Sequence, residues 1–468
     1  MDRDRDRPIG IDSIGVYVPR LYVDLTGEWA KVRAPVLTRG DVDSLVGKVV
    51  DGVGVRRMAV VDAHQDCATL AAMAAKRAID AAGIDPRDID YLAIGTETTV
   101  DQSKSIAAYV LGMLERHYGV SLAEVGAPQF QFACIGATYA LESAVSRMRA
   151  GDHTKPYSLV IASDVSRYPL RTAGEYTQGA GAVALLVSEN PRVLVLERGL
   201  SSTVTRDERD FFRPNGQSWA VVDGKYSIDV YLDCMEAAFE GYAKRVEAAL
   251  GIGVERLYEA IDAFCFHVPF PRMAEYASAR VLGRLWSAEP EARARLSAEG
   301  AVAGVGTRKE FERALARTAL FRAAFDRKVA PSLALAREVG NIYSGALYLG
   351  LVSFLEETRS RNLAGRRVVL GSYGSGASAK VLSGIVAQPY RSLVDHLHVR
   401  DDLRPESEGG LRTALSVAEY ERLHELPDGE RGASVLSPRR EFALERLGAS
   451  ESPERTDRGY RYYGWIDG

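Results

Sequence analysis

Cysteine is scarce in this chain. Its four cysteines, Cys67, Cys134, Cys234 and Cys265, lie far apart among 468 residues. They have neither the paired spacing of a metal site nor the density of a disulfide-stapled fold, so reduced thiols are expected. No apolar run approaches the roughly 20 residues that a membrane-spanning helix needs. The opening MDRDRDRPIGIDSIGVYV lacks the charged, apolar and small-residue regions of a secretory signal. A cytoplasmic protein without a membrane partner is the expectation. Surplus positive charge is missing too: 59 Lys and Arg stand against 63 Asp and Glu. Such a balance supplies no general attraction for nucleic acid.

What remains is a chain with 46% hydrophobic residues, long enough to bury a large core. Residues 1–8 form a charged tail that cannot bury apolar surface and is expected to be disordered. From Ile9 onward, helix-like stretches such as CATLAAMAAKRAIDAAG alternate with short apolar runs such as IDYLAIGTE, PYSLVIAS, AVALLVS and RVLVLERG. This alternation predicts an α/β fold with mainly parallel central sheets. The second half repeats the idea with IDAFCFHVPF, GALYLGLVSFLEE and RRVVLGSYGSGASAKVLSGIV. Each half is therefore read as containing a strand that runs through a small-residue turn into a helix. Residues 285–330 are Arg- and Glu-rich and helical in pattern. Beyond about residue 400 the apolar period weakens, and that region is expected to be peripheral to any chemistry.

Three residues stand at the ends of apolar strands, where ligand crevices of open α/β sheets lie. Cys134 follows the alternation FQFA and precedes the helical IGATYALESAVSRM. A thiol there would face the positive end of a helix, and such sites lower a cysteine pKa from about 8.5 to roughly 3.5–7.5. It is either a nucleophile or a small buried residue. Cys265, inside an apolar strand, and Cys234, inside a helical run, read as packing. His267 ends the run AFCFH before a proline; it could hydrogen-bond a carbonyl oxygen or be a satisfied structural histidine. Glu97 closes YLAIGTE; partial desolvation would raise its pKa and suit it to proton transfer, while the alternative is an ordinary loop or capping carboxylate. The Gly-rich GSYGSGASAK lacks the GK[ST] ending of a phosphate loop. TQGAGAVALLV is read as close backbone packing.

With these residues in view, the sequence resembles the 3-hydroxy-3-methylglutaryl-CoA synthase family of the thiolase superfamily. GIDSIGVYVPRLYVDL, FRPNGQSWAVVDGKYS, FHVPF, GNIYSGALYLGL and GSYGSG occur in the family's order over roughly residues 9–395. The resemblance implies a thiolase-like fold with two similar halves in a five-layered αβαβα arrangement. The expected divisions are 9–190 with the nucleophile, 191–398 with the histidine and Gly-rich loop, and a peripheral extension 399–468. It also implies a homodimer. Cys134 would accept the acetyl group of acetyl-CoA, Glu97 would be the general acid/base, and His267 would position acetoacetyl-CoA. Asn341 would help bind the acetoacetyl group, the Ser375 backbone N–H would face the thioester oxygen, and Tyr168 would be an active-site tyrosine. Arg272 would replace a lysine near the CoA phosphates. No metal or redox cofactor is implied; the CoA thioesters are substrates. Ile135 departs from the aromatic residue common after the nucleophile, VGVRRMAV departs from the usual glycine-and-glutamine turn, and 285–330 is longer than in compact bacterial members. Two other readings compete: a sister enzyme of polyketide β-branching with acyl carrier protein partners, and a non-catalytic thiolase-like scaffold.

Overall fold

The computed structural model describes residues 7–217, 219–426, 432–452 and 456–467. Residues 1–6 of the expected charged tail lie outside the described residues. Arg7 and Pro8 are tied down: Arg7 pairs with Glu189 at 2.7 Å, and the Pro8 carbonyl accepts the Asn190 N–H.

One ten-stranded sheet runs through the molecule. Its order is Ala263–Phe266, Arg367–Gly374, Ser378–Val386, Leu194–Leu196, Ile9–Tyr17, Gly179–Glu189, Tyr157–Ser166, Ile89–Gly95 and Gln129–Phe130, with Ser202–Thr205 paired beside Ser378–Val386. The mainly parallel sheets expected from the alternation are not what forms. Within this sheet, among the described residues, parallel pairing is confined to Ala263–Phe266 on Arg367–Gly374 and to Ile89–Gly95 on its two neighbours. The pairs of the middle are antiparallel. GSYGSGASAK is a second correction: Arg367–Gly374 turns back as a hairpin into the strand Ser378–Val386, not into a helix. A strand buried on both faces reads as a continuous run of small and apolar residues, a pattern that periodicity alone cannot tell from a buried helix.

Strand alternation sorts the core into layers. From Ile89–Gly95, Tyr91 and Ala93 face one cluster while Leu92 and Ile94 face another; Val183 and Leu185 oppose Ala182, Ala184 and Leu186 in the same way. In the other half, Val368 and Leu370 face the first cluster and Val369 and Tyr373 a third. The shared cluster contains the helices Gly136–Ala150 and Ala346–Glu357, sandwiched between the two arms of the sheet. Cys67–Ala82 and Ile106–Tyr118 cover one outer face, and Gly224–Leu250 and Arg272–Ala288 the other. This is the five-layered α/β arrangement. It explains why Ala346–Leu355 is buried without a break: a helix covered on both sides has no polar face to keep.

Residues 285–330 are helical as expected, built from the end of Arg272–Ala288 and from Pro290–Ala298, Arg308–Leu315 and Ala319–Lys328. The region after residue 398 is more engaged than a peripheral extension. Phe442, Leu444 and Tyr463 of the hairpin Glu441–Leu447/Arg461–Ile466 are core residues over the outer helices. Glu441 accepts the Tyr17 hydroxyl at 2.6 Å, and the helix Val417–His424 packs on Trp29 and Leu45. Apolar residues dispersed through a polar segment escape a periodicity reading, yet each finds a partner distant in sequence. No helix among the described residues is long and apolar enough to cross a membrane.

Gly95 lets the start of the helix Gly136–Ala150 settle on its strand. A Cβ there would lie 2.0 Å from the Ala137 nitrogen, a backbone contact that cannot swing aside. Gly95→Ala is expected to destabilise the fold by about 1–3 kcal/mol or more, read as a lowered midpoint of chemical unfolding; an unchanged midpoint would contradict this packing.

Candidate active site

The close approach at Gly95 places the loop before the helix Gly136–Ala150 over the carboxyl end of the strand Ile89–Gly95. Within that loop Ala133 has φ +39°, a left-handed conformation uncommon for a residue with a side chain. The next residue, Cys134, is partly exposed, and its Sγ lies 3.5 Å from Glu97 Oε2. The two candidates from separate apolar runs therefore meet as a hydrogen-bonded pair. Ile135 is the residue capping the helix and is fully buried. It packs where a Cβ on Gly374 would come within 2.7 Å of its Cγ2. The side chain after Cys134 thus faces the interior and locks the Cys134 loop to the end of the strand Arg367–Gly374.

The expected thiolate is not stabilised here. Burial and the charges of Glu97, Asp164 and Asp210 push the Cys134 thiol well above its ordinary value. The half-charge of a helix end does not offset carboxylates placed this close. Glu97 behaves as the sequence suggested: burial first, then the neighbouring Asp164, raise its carboxyl to about 8, with Arg213 acting in the opposite direction. The thiol donates to the carboxyl group, so the pair holds its protons in common rather than as independent acids.

Asp164 organises this corner. It is fully buried. Its Oδ1 accepts the Glu97 and Thr98 backbone N–H groups at 2.9 and 3.2 Å and the Thr96 and Thr98 hydroxyls at 2.8 Å. Its Oδ2 accepts the Ser344 N–H at 3.0 Å and also the Ser344 hydroxyl. Ser344 belongs to GNIYSG, so one carboxylate holds the Glu97 loop and the Asn341 loop together. In that second loop Asn341 Oδ1 accepts the Tyr343 N–H at 2.8 Å, and Tyr343 has φ +42°. The Tyr343 and Tyr168 hydroxyls are hydrogen-bonded, and burial first, then the charge of Glu97, keeps the Tyr168 phenol protonated. Tyr168 therefore stands beside the Cys–Glu pair.

His267 follows the strand Ala263–Phe266, its N–H bonded to the Gly371 carbonyl at 2.7 Å and its own carbonyl to the Tyr231 hydroxyl at 2.9 Å. Burial lowers the imidazole to about 3, so it is neutral at ordinary pH. Its Nδ1 is buried without a hydrogen-bond partner. Phe266 pairs with Gly371, which sets His267 beside the strand that ends at Gly374 and leads into Ser375. The contact between Gly374 and Ile135 then joins this end of the second half to Cys134. Arg272 stands apart. Its guanidinium is engaged by the Asp51 and Gly52 carbonyls and by Glu275 at 3.0 Å, and so clamps the π-helical turn Gly47–Val53 to the start of the helix Arg272–Ala288.

Sequence reasoning passed over Asp164, Asp210 and Arg213. Asp164 carried a usable signal, an ionisable residue inside the apolar strand LVIASDVS. Asp210 is fully buried and accepts the Gly376 N–H at 2.8 Å, the Tyr373 hydroxyl at 3.1 Å and the Ser227 hydroxyl at 2.9 Å. A cavity of about 590 Å³ opens beside Glu97, lined in part by Thr98, Gln131, Arg213, Leu423 and Leu444. The last two come from the region expected to be peripheral. Among the described residues no cluster of three or more His, Cys, Asp or Glu side chains is arranged to hold a metal ion.

Residues 5–191 match the family model for the hydroxymethylglutaryl-coenzyme A synthase N terminal, and residues 194–423 match that for the C terminal. The chain is 31% identical to the hydroxymethylglutaryl-CoA synthase of Haloferax volcanii over 97% of its own length and 99% of that protein. It is 34% identical to that of Enterococcus faecalis, over 89% and 91% of the two chains. Its fold superposes on a solved structure of MvaS in complex with 3-hydroxy-3-methylglutaryl coenzyme A with a TM-score of 0.79, at 33% identity, covering 99% of this chain and all of the other.

Because Glu97 raises the Cys134 thiol both by charge and by hydrogen bonding, removing it should make the thiol more acidic. Glu97→Ala is expected to shift the pH profile of Cys134 alkylation by iodoacetamide to lower pH, with faster labelling at neutral pH. A shift to higher pH would show that Glu97 activates the thiol at rest.

Proposed function

The chain belongs to the hydroxymethylglutaryl-CoA synthase family, and we propose that Cys134, Glu97 and His267 carry that family's reaction in it. The protein condenses acetyl-CoA with acetoacetyl-CoA and water to give 3-hydroxy-3-methylglutaryl-CoA and CoA. The observation that carries the residue assignment is the hydrogen-bonded Cys134–Glu97 pair, joined through Ile135 and Gly374 to the loop of Ser375 and the strand end of His267.

The chemistry follows from the groups present. The Cys134 sulfur attacks the acetyl-CoA carbonyl, the C–S bond to CoA breaks, and the proton given up by Cys134 passes through solvent to the departing sulfur, so that CoA leaves as the free thiol. An acetyl thioester on Cys134 no longer competes for the Glu97 proton. In its ionised form Glu97 takes a proton from the acetyl methyl, and the enolate carbon attacks the ketone of acetoacetyl-CoA. Backbone N–H groups at Cys134 and Ser375 are assigned to the thioester oxygen. His267, held neutral by burial and carrying an unpartnered ring nitrogen, polarises the acetoacetyl carbonyl by hydrogen bonding rather than by proton transfer. The proton on Glu97 returns to the new alkoxide. Water then cleaves the thioester, which restores the thiol and leaves a free carboxylate on the product. Asn341 and Tyr168 line the acetoacetyl side of this arrangement. Arg272 contributes by holding the Gly47–Val53 turn in place. A homodimer is the assembly that goes with this reading.

Cys134→Ala is expected to abolish covalent acetylation by labelled acetyl-CoA; label at the wild-type level would remove the nucleophile assignment. Glu97→Ala should still acquire label yet condense about 10²–10⁴-fold more slowly. Because burial and Asp164 raise the Glu97 carboxyl and acetylation removes the thiol that donates to it, the condensation rate of acetylated wild-type protein should climb with pH well above the usual carboxylate range, since only the ionised form abstracts a proton. A flat profile, or a mutant that condenses normally, would exclude Glu97 as the base.

The acyl groups are assigned to coenzyme A rather than to a carrier protein, supported by the named CoA synthases at 31% and 34% identity. Side-by-side assays should give turnover with acetoacetyl-CoA as acceptor. Turnover only with an acetoacetyl carrier protein would instead establish the polyketide reading.

A further inference from the structure

Arg213 lies in the motif FRPNGQSWAVVDGKYS, which the reaction as described leaves unused. Two features fix its place. Three residues upstream, buried Asp210 is anchored to the Gly376 N–H and the Tyr373 hydroxyl, both in the second half. The proline that follows restricts the Arg213 backbone to an extended conformation. From this support the guanidinium reaches the first half. One Nη donates to the main-chain carbonyl of Glu97 and stands 3.9 Å from Glu97 Oε1. That carboxylate oxygen is buried and has no hydrogen-bond partner among the described residues, while the other faces Cys134.

We propose that Arg213 is a positioning residue for the condensation, gripping Glu97 by its main-chain carbonyl and facing its outer carboxylate oxygen so that the inner one stays aimed at Cys134. The groups facing Glu97 make this role specific. Asp164 beneath the loop disfavours a second negative charge, whereas the Cys134 thiol favours it only while it can donate to Glu97, a contact that acetylation removes. Tyr168 and Tyr343 are phenols held protonated beside it. Arg213 is the cation set against them, and its charge favours the ionised carboxylate. Its side chain keeps about a quarter of its surface exposed at the cavity wall, so replacing it leaves no large void in the core.

The inference rests on Glu97 as the condensation base, and the experiment separates the two claims. Acetyl-enzyme is formed with labelled acetyl-CoA in wild type, Arg213→Ala, Arg213→Lys and Glu97→Ala, and single-turnover condensation is followed against pH. Arg213→Ala should acetylate normally, but its condensation limb should move upward from the wild-type position by about one pH unit. At neutral pH this lowers the rate about tenfold. Arg213→Lys, which returns the charge without the planar fork, should bring the limb back most of the way. If Arg213→Ala leaves the limb at its wild-type position, whether or not the overall rate falls, the positioning role is overturned and a structural one remains. Normal condensation by Glu97→Ala would instead overturn the assignment of the base.

Discussion

Asp164 is the constraint on which the site depends. A carboxylate fully removed from water persists only if its oxygens are met by donors, and here Thr96, Glu97, Thr98 and Ser344 supply them from two distant parts of the chain. Satisfying that one group fixes the loop bearing Glu97 against the loop bearing Asn341. Its hydrogen bonds oppose the penalty of burial without cancelling it, so its own carboxyl also sits above the usual range. The negative charge it brings is felt by every ionisable neighbour.

That charge shapes the chemistry. In a low-dielectric pocket Asp164, Glu97 and a Cys134 thiolate cannot all be ionised at once. The resting arrangement therefore stores protons on the thiol and on Glu97, and acylation of the sulfur changes the balance by removing one of the competing acids. A pair whose environments hold the proton until the first step is complete suits a sequence in which acyl transfer must precede carbon–carbon bond formation. His267 belongs to the same logic from the other direction: burial leaves it neutral, and a neutral imidazole can polarise a carbonyl without surrendering a proton.

The layered architecture supplies the rigidity these distances require. Because the helices Gly136–Ala150 and Ala346–Glu357 lie between both arms of the sheet, the site is assembled from the two halves against one shared core. Thr138 shows the coupling directly, since its hydroxyl bonds Ser372 at 2.7 Å and Tyr348 at 2.9 Å, one on a strand and one on a helix of the second half. A shift of either half would pull on the helix that follows Cys134.

Much was legible from the chain alone. Apolar runs that break off at Cys134, Glu97 and His267 mark all three as candidates, because a strand buried on both faces leaves a recognisable stretch and its end is where polar chemistry can begin; the fold brings the first two into contact. Motif order supplied the family. Strand direction was not legible: hairpin and crossover connections can carry similar buried apolar strands, so GSYGSGASAK was misread as opening a helix. Nor did local pattern show the state of Cys134. A helix start is visible in sequence, whereas Asp164, Glu97 and Asp210 come within reach of the thiol only after the chain has folded, and their charges outweigh the helix end. The same holds for Arg213, which reaches a carbonyl 116 residues away, and for Leu423 and Leu444, which the fold brings to the same cavity as Glu97. Local sequence determined which segments form the elements and where reactive side chains emerge; the tertiary structure decided their protonation, because charge acts through space rather than along the chain.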